Sequence, residues 1–182
     1  MKRIFLASSL FLTLLLATAC SRPEHDIIIR SGTLYDGSGG PAMIADLAID
    51  DDRITAIGNL DGHSGRSEID AKGLAVAPGF INMLSWANES LVQDGRSLSD
   101  IHQGVTLEVM GEGFSMGPLN DAMRQELIDR QSDIIYDVSW TSLAEYLQYL
   151  EDRGISTNIA SFVGASSVRV HELGYEDRKP GK

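Results

Sequence analysis

The chain has 182 residues, 43% of them hydrophobic and 23% charged, an ordinary globular composition with length for one domain and part of another. That excludes a fibrous or intrinsically disordered protein. Its 15 basic and 26 acidic side chains give a formal charge of −11, which argues against nucleic acid or anionic lipid as partners held by charge.

Residues 1–19 read as a leader. Lys2 and Arg3 precede the apolar run 4–17, and the small residues Thr18 and Ala19 lead into Cys20, the three-part layout of a secretory signal. The run is shorter than the roughly 20 residues needed to span a bilayer core, so a permanent transmembrane helix is not expected. Cys20 is the only cysteine, which excludes an intramolecular disulfide. A lone cysteine directly after a leader resembles a bacterial lipoprotein lipobox, in which that cysteine is lipidated and becomes the mature N-terminus. Ala17 stands where leucine is usual, and Ser21 resembles lipoproteins sorted to the outer membrane. The expectation is a cell-envelope protein held at the periplasmic face of the outer membrane by a lipid on Cys20, with residues 20–25 as a polar tether.

Closely spaced strands follow. Segments 26–30 and 32–35 are β-rich, and Asp36-Gly37-Ser38-Gly39-Gly40-Pro41 is turn chemistry without the lysine or following helix of a phosphate loop. Residues 45–50 alternate at period two, Asp51-Asp52 makes a two-residue hairpin turn, and 53–58 runs back. Segments 68–70 and 74–76 complete a region, 26–76, that reads as a small β-sandwich.

From residue 77 the pattern lengthens into alternating strands and helices. Strands are predicted at 79–84, 105–110 and 158–163, and helices at 97–104, 120–130 and 142–153. The last is amphipathic, with Leu143, Tyr146, Leu147 and Leu150 on one face and Gly154 as its stop. Apolar strands in repeated βα units imply a parallel sheet or barrel. Residues 77–182 hold three such strands, whereas a full (β/α)8 barrel takes about 250 residues. The fold class is therefore α/β, a small β-sandwich followed by the first units of an incomplete TIM-type barrel, and the chain reads as the N-terminal part of a longer protein.

Several segments carry a resemblance. The stretch 26–37, the strand 53–58 and Ala77-Pro78-Gly79-Phe80-Ile81 resemble the N-terminal half of D-aminoacylases, the N-acyl-D-amino-acid deacylases of the amidohydrolase superfamily. Gln103-Gly104-Val105-Thr106, Gly111-Glu112-Gly113-Phe114-Ser115 and Phe162-Val163-Gly164 fall in that family's order. The resemblance implies a β-sandwich ahead of a metal-dependent barrel, a small-molecule amide substrate and one divalent metal, zinc. In such enzymes zinc-bound hydroxide attacks the amide carbonyl, because the ion acidifies its water and polarises the carbonyl. It also implies Glu112 as a metal ligand, standing where relatives carry cysteine, since a carboxylate is an acceptable zinc ligand. Leu84 and Trp86 stand where a His-x-His pair is expected, Ala165 where histidine is common, and the general base is expected beyond residue 182.

Other readings compete. Gly113-Phe114-Ser115-Met116-Gly117 matches the Gly-x-Ser-x-Gly nucleophile elbow, with His171 as the downstream base, although Pro118 interrupts the helix that should follow. A serine hydrolase using Ser115 is thus a third function, behind the amidohydrolase and a non-catalytic envelope lipoprotein on the same scaffold. On the amidohydrolase reading Ser115 is a loop residue that contacts substrate. Glu108 is either an inward carboxylate needing a partner or a surface residue behind a bulge. His25, His63 and His102 read as solvated imidazoles, because metal sites need convergent ligands.

Overall fold

A computed structural model describes residues 24–181. The leader 1–19 and Cys20 lie outside the described residues. Contacts divide the chain between Pro78 and Gly79 into two units.

The first unit is one sheet of five strands, β1 (His25–Leu34), β2 (Met43–Asp50), β3 (Arg53–Gly58), β4 (Gly65–Asp70) and β5 (Ala75–Val76), with the path β3-β2-β1-β4 and β5 also on β1. The Asp51-Asp52 hairpin forms as the sequence indicates. Asp50 pairs with Arg53, and Asp51 takes φ of 51°, the left-handed conformation a primed turn demands. Its N–H donates to Asp26 Oδ2 at 2.9 Å.

A bulge divides β1. Ile29 pairs with Leu47 and Gly32 with Ala45, so Arg30 and Ser31 together face Asp46. A bulge orphans a backbone donor, and here the Asp46 carboxylate accepts the Ser31 N–H at 2.8 Å. Before the bulge β1 pairs with β4, and after it with β5. Only glycine fits at 32, because a Cβ there would stand 2.5 Å from Val76 Cγ2.

The consecutive Ile27, Ile28 and Ile29 supply both faces of this sheet. Ile28, Ala48 and Leu60 pack as a buried cluster, while Ile29, Leu34, Leu47, Ile49, Ile54 and Ile57 line an open trough of about 370 Å³ on the other face. The sequence pattern predicts a sandwich, and two apolar faces are why. The described residues of this unit form a single sheet. The predicted tether is also one residue too long, since His25 already pairs with Gly65 as the first residue of β1.

The second unit is a parallel sheet, β6-β7-β8 (Phe80–Asn82, Val105–Met110, Asn158–Ser161), with helices α1 (Ser90–Gln93), α2 (Leu98–Ile101), α3 (Asp121–Asp129), α4 (Leu143–Arg153) and α5 (Ala165–Leu173). Its core gathers Leu91, Met110, Met123, Trp140, Tyr146 and Leu150. Helix α4 starts at a full capping box, with the Ser142 hydroxyl on the Glu145 N–H and the Glu145 carboxylate returning to the Ser142 N–H. The backbone N–H groups of Ser142 and Thr141, both donating to that carboxylate, hold the Glu145 pKa at about 2. Trp140 is buried with its indole N–H on the Met116 carbonyl at 2.7 Å, which satisfies the one polar atom of that ring. The coarse expectation of an α/β fold with parallel βα units agrees with this architecture. Strands β6 and β8 are shorter than their apolar runs suggest, and Ile81, Leu84, Phe162 and Val163 are exposed.

Candidate functional site

Parallel βα units carry their chemistry at the C-terminal strand ends, where loops converge over the sheet edge. After β6 come Leu84, Ser85 and Trp86, and after β7 come Gly111, Glu112 and Gly113. These residues share a shallow dent of about 10 Å³. Gly111 has φ of +81° and a Cβ there would meet the Phe162 carbonyl at 2.4 Å, so glycine lets β7 turn sharply against β8. Beyond that turn Glu112 is exposed. Trp86 is 76% exposed and Leu84 52%, an apolar rim beside the carboxylate.

Below the rim lies a polar group that the sequence left open. Glu108 is fully buried on β7. Its Oε2 accepts the Ser85 hydroxyl at 2.7 Å, and its Oε1 accepts the hydroxyls of Ser97 at 2.8 Å and Thr157 at 2.9 Å. Three segments, following β6, preceding α2 and preceding β8, are thereby joined through one side chain. Three hydroxyl donors on its two oxygens offset the cost of burying this polar group. Ser85 is fixed a second time by its N–H on the Val109 carbonyl at 2.8 Å. Glu108 therefore positions the strand end from which Leu84 and Trp86 project.

Ser115 corrects the nucleophile-elbow reading. It is fully buried, its hydroxyl donates to the Gly117 carbonyl at 2.6 Å, and the same oxygen accepts the Gly164 N–H at 2.9 Å. Its backbone N–H donates to Ser167 Oγ at 2.8 Å. The residue sews the loop after β7 to the start of α5. Its hydroxyl is enclosed and has carbonyl and amide partners in place of an imidazole. His171 Nδ1 instead meets Glu172 at 2.7 Å. The elbow also lacks its helix, since α3 begins only at Asp121.

A catalytic zinc takes three protein ligands and a water. Among the described residues at this rim, Glu112 offers a carboxylate, while Leu84, Trp86 and Ala165 offer no ligand atom. The donor set present here does not fit a catalytic metal by itself. A convergent group of metal-ligating type lies elsewhere, in the first unit, where Glu24, His25 and His63 bring one donor atom each within 4.8 Å of one another. The reading of His25 as solvated is corrected, while the His63 side chain keeps 40% exposure. The His25 side chain is only 12% exposed, and both rings are engaged in hydrogen bonds.

No family model matches the chain. It is 35% identical over 148 residues to the D-aminoacylase of Alcaligenes xylosoxydans xylosoxydans, covering 79% of this chain and 30% of that protein. A match of that length includes parts of both units. The chain matches the N-terminal part of D-aminoacylase-type amidohydrolases. Solved structures agree. A D-aminoacylase with a binuclear metal centre, described by one-metal activation and second-metal attenuation, superposes with a TM-score of 0.69 at 32% identity, over 82% of this chain and 31% of that one. The N-acyl-D-glutamate deacylase of Bordetella bronchiseptica, complexed with zinc and a phosphonate mimic of the tetrahedral intermediate, gives 0.67 at 29%, with 82% and 31% covered. This chain thus spans about a third of the length of these relatives.

Proposed function

We propose that the chain is the N-terminal portion of a metal-dependent amidohydrolase that cleaves non-peptide C–N bonds of the N-acyl-amino-acid type. The observation that carries this reading is the 35% identity to D-aminoacylase across both units. The five-stranded sheet is then one layer of a β-sandwich, and β6, β7 and β8 open a (β/α)8 barrel. Glu112, at the C-terminal end of β7, contributes one metal-ligating carboxylate, and further barrel strands contribute the other ligands and the general base. A second reading, a non-catalytic protein on the same scaffold, is favoured by Leu84 and Trp86, which put hydrocarbon where the family resemblance asks for a pair of imidazoles.

One experiment separates them. The 182-residue chain and a polypeptide extended through its own downstream sequence are purified, loaded with zinc and assayed on N-acetyl-D-amino acids. The extended protein is expected to hydrolyse them and to lose hydrolysis together with part of its bound zinc on Glu112→Gln, and the shorter chain to show no hydrolysis. An extended protein that turns nothing over, and whose zinc content Glu112→Gln does not change, establishes the non-catalytic reading.

We also propose that Cys20 is lipidated and anchors the protein in the cell envelope. No described helix is long and apolar enough to cross a membrane, and several acyl chains on one residue anchor far more durably than one. Mass spectrometry of the mature N-terminus is the check. A free Cys20 thiol, or cleavage at another bond, rules the anchor out.

A further inference from the structure

At the start of β1 three side chains converge that the proposed hydrolysis does not use. The backbone under each is fixed independently. The N–H groups of Glu24 and His25 both donate to the Ser64 carbonyl, at 2.9 and 3.0 Å. His63 closes a turn through its N–H on the Leu60 carbonyl at 3.0 Å, and its own carbonyl accepts from Arg30 Nη2 at 2.8 Å. Arg30 is itself clamped by Asp46 and Glu68.

The imidazoles are oriented as well as placed. His25 Nδ1 lies 2.9 Å from Asp50 Oδ2. The Asp50 carboxylate is itself held in place, accepting the Thr55 hydroxyl at 2.6 Å and the Asp26 N–H at 3.0 Å. Opposite that acceptor His25 carries its proton on Nδ1 and presents a lone pair at Nε2. That nitrogen stands 3.2 Å from His63 Nδ1, and His63 Nδ1 stands 3.1 Å from Glu24 Oε2. In a tetrahedral zinc site, with bonds of roughly 2.0–2.2 Å, neighbouring donors are about 3.3–3.5 Å apart. Two edges of the cluster already have nearly that spacing. With its proton on Nδ1, His63 donates within the cluster; with the proton moved to Nε2, both imidazole lone pairs and the Glu24 carboxylate are available to one cation.

We propose that Glu24, His25 and His63 bind a zinc ion, with Asp50 orienting His25 from behind, as a clip between the first strand and the turn that precedes β4. Two imidazoles and one carboxylate suit a borderline ion such as zinc, whereas magnesium and calcium favour sets made wholly of oxygen. The Asp50–His25 pair has the form of the carboxylate–histidine–metal arrangement that fixes ring orientation and raises ligand basicity. Water completes the coordination, since Glu24 and the outer side of His63 face solvent. The site lies in the first unit and does not rest on the deacylase reading.

The full 182-residue chain is titrated with zinc chloride while long-range ¹H–¹⁵N spectra follow the four imidazoles and a thermal melt follows stability. The His25 and His63 ring signals are expected to move together and saturate at one equivalent, with His102 and His171 unaffected and the melting midpoint raised. His63→Gln removes the response, Asp50→Asn weakens zinc affinity about 10- to 100-fold, and Glu112→Gln leaves it intact, which separates this site from the barrel rim. Unmoved His25 and His63 signals at saturating zinc, a reading of the unmutated chain that no folding defect in a variant can mimic, overturn the proposal. So does a zinc-dependent rise in midpoint that survives His63→Gln.

Discussion

Glu108 in the second unit and Asp50 in the first are both carboxylates held by hydroxyls, and they serve opposite ends. Glu108 is fully buried, and its partners among the described residues are three hydroxyls drawn from three separate segments. Asp50 keeps 35% of its side chain in contact with solvent and shares a proton with an imidazole whose other nitrogen faces two more donors. Burial turns the first into a fixed joint. Access to solvent and a titratable neighbour leave the second able to exchange what it holds, so the same functional group supports architecture in one unit and ligand chemistry in the other.

The largest expected effect tests the joint. Glu108→Ala strands three hydroxyls and opens a void, so urea denaturation of the full chain is expected to show a loss of about 3 kcal/mol or more. Glu108→Gln recovers part of that, because its amide keeps one acceptor oxygen while its NH₂ opposes a rotatable hydroxyl. Equal and small losses from both variants, under about 1 kcal/mol, would sink the structural role.

Ser115→Ala is expected to lower stability by about 1–2 kcal/mol, since the Gly164 N–H and the Gly117 carbonyl lose their partner in a buried loop. In an extended, hydrolysing protein its kcat per folded molecule stays unchanged. A collapse of kcat without loss of stability returns Ser115 to the role of nucleophile.

The smallest effect lies with Asp50 and sharpens the other side of the comparison. Its folded pKa of about 2 is below the ordinary carboxylate value, so its contribution to stability is complete above about pH 4 and is lost as pH falls toward 2. Asp50→Asn is expected to flatten that part of an acid-unfolding curve, and NMR of the Asp50 carboxyl carbon to give a midpoint near the same low value. A midpoint close to 4 means that the hydrogen bonds from Thr55 and His25 do not hold in solution.

Much of the fold is legible in the sequence where the determinants are local. Helix α4 announces itself through Ser142, Glu145, its apolar face and Gly154, all within one short segment. The Asp51-Asp52 hairpin does so through its turn and flanking alternation. Sites built from distant segments are not legible in this way. His25 and His63 are 38 residues apart, and what joins them is the parallel pairing of His25 with Gly65, which sets the turn containing His63 beside the start of β1. Ser115 matches a hydrolase motif over five residues, yet its actual partner, Gly164, is 49 residues away. Glu108 and Glu112 share a strand face by spacing alone. The positive φ of Gly111 ends that periodicity, placing one in the core and the other on the rim.

The bulge in β1 bears on how this strand tolerates change. Ile29 and Leu34 line the same trough although five residues separate them, and an uninterrupted strand would point them to opposite sides. The extra residue at Arg30-Ser31 acts as a phase shifter, giving the two halves of the strand independent reading frames. Deleting one residue there would exchange the faces of Thr33 and Leu34 while leaving hydrophobic content almost unaltered, so sequence comparisons that score only composition across this strand will overlook the change.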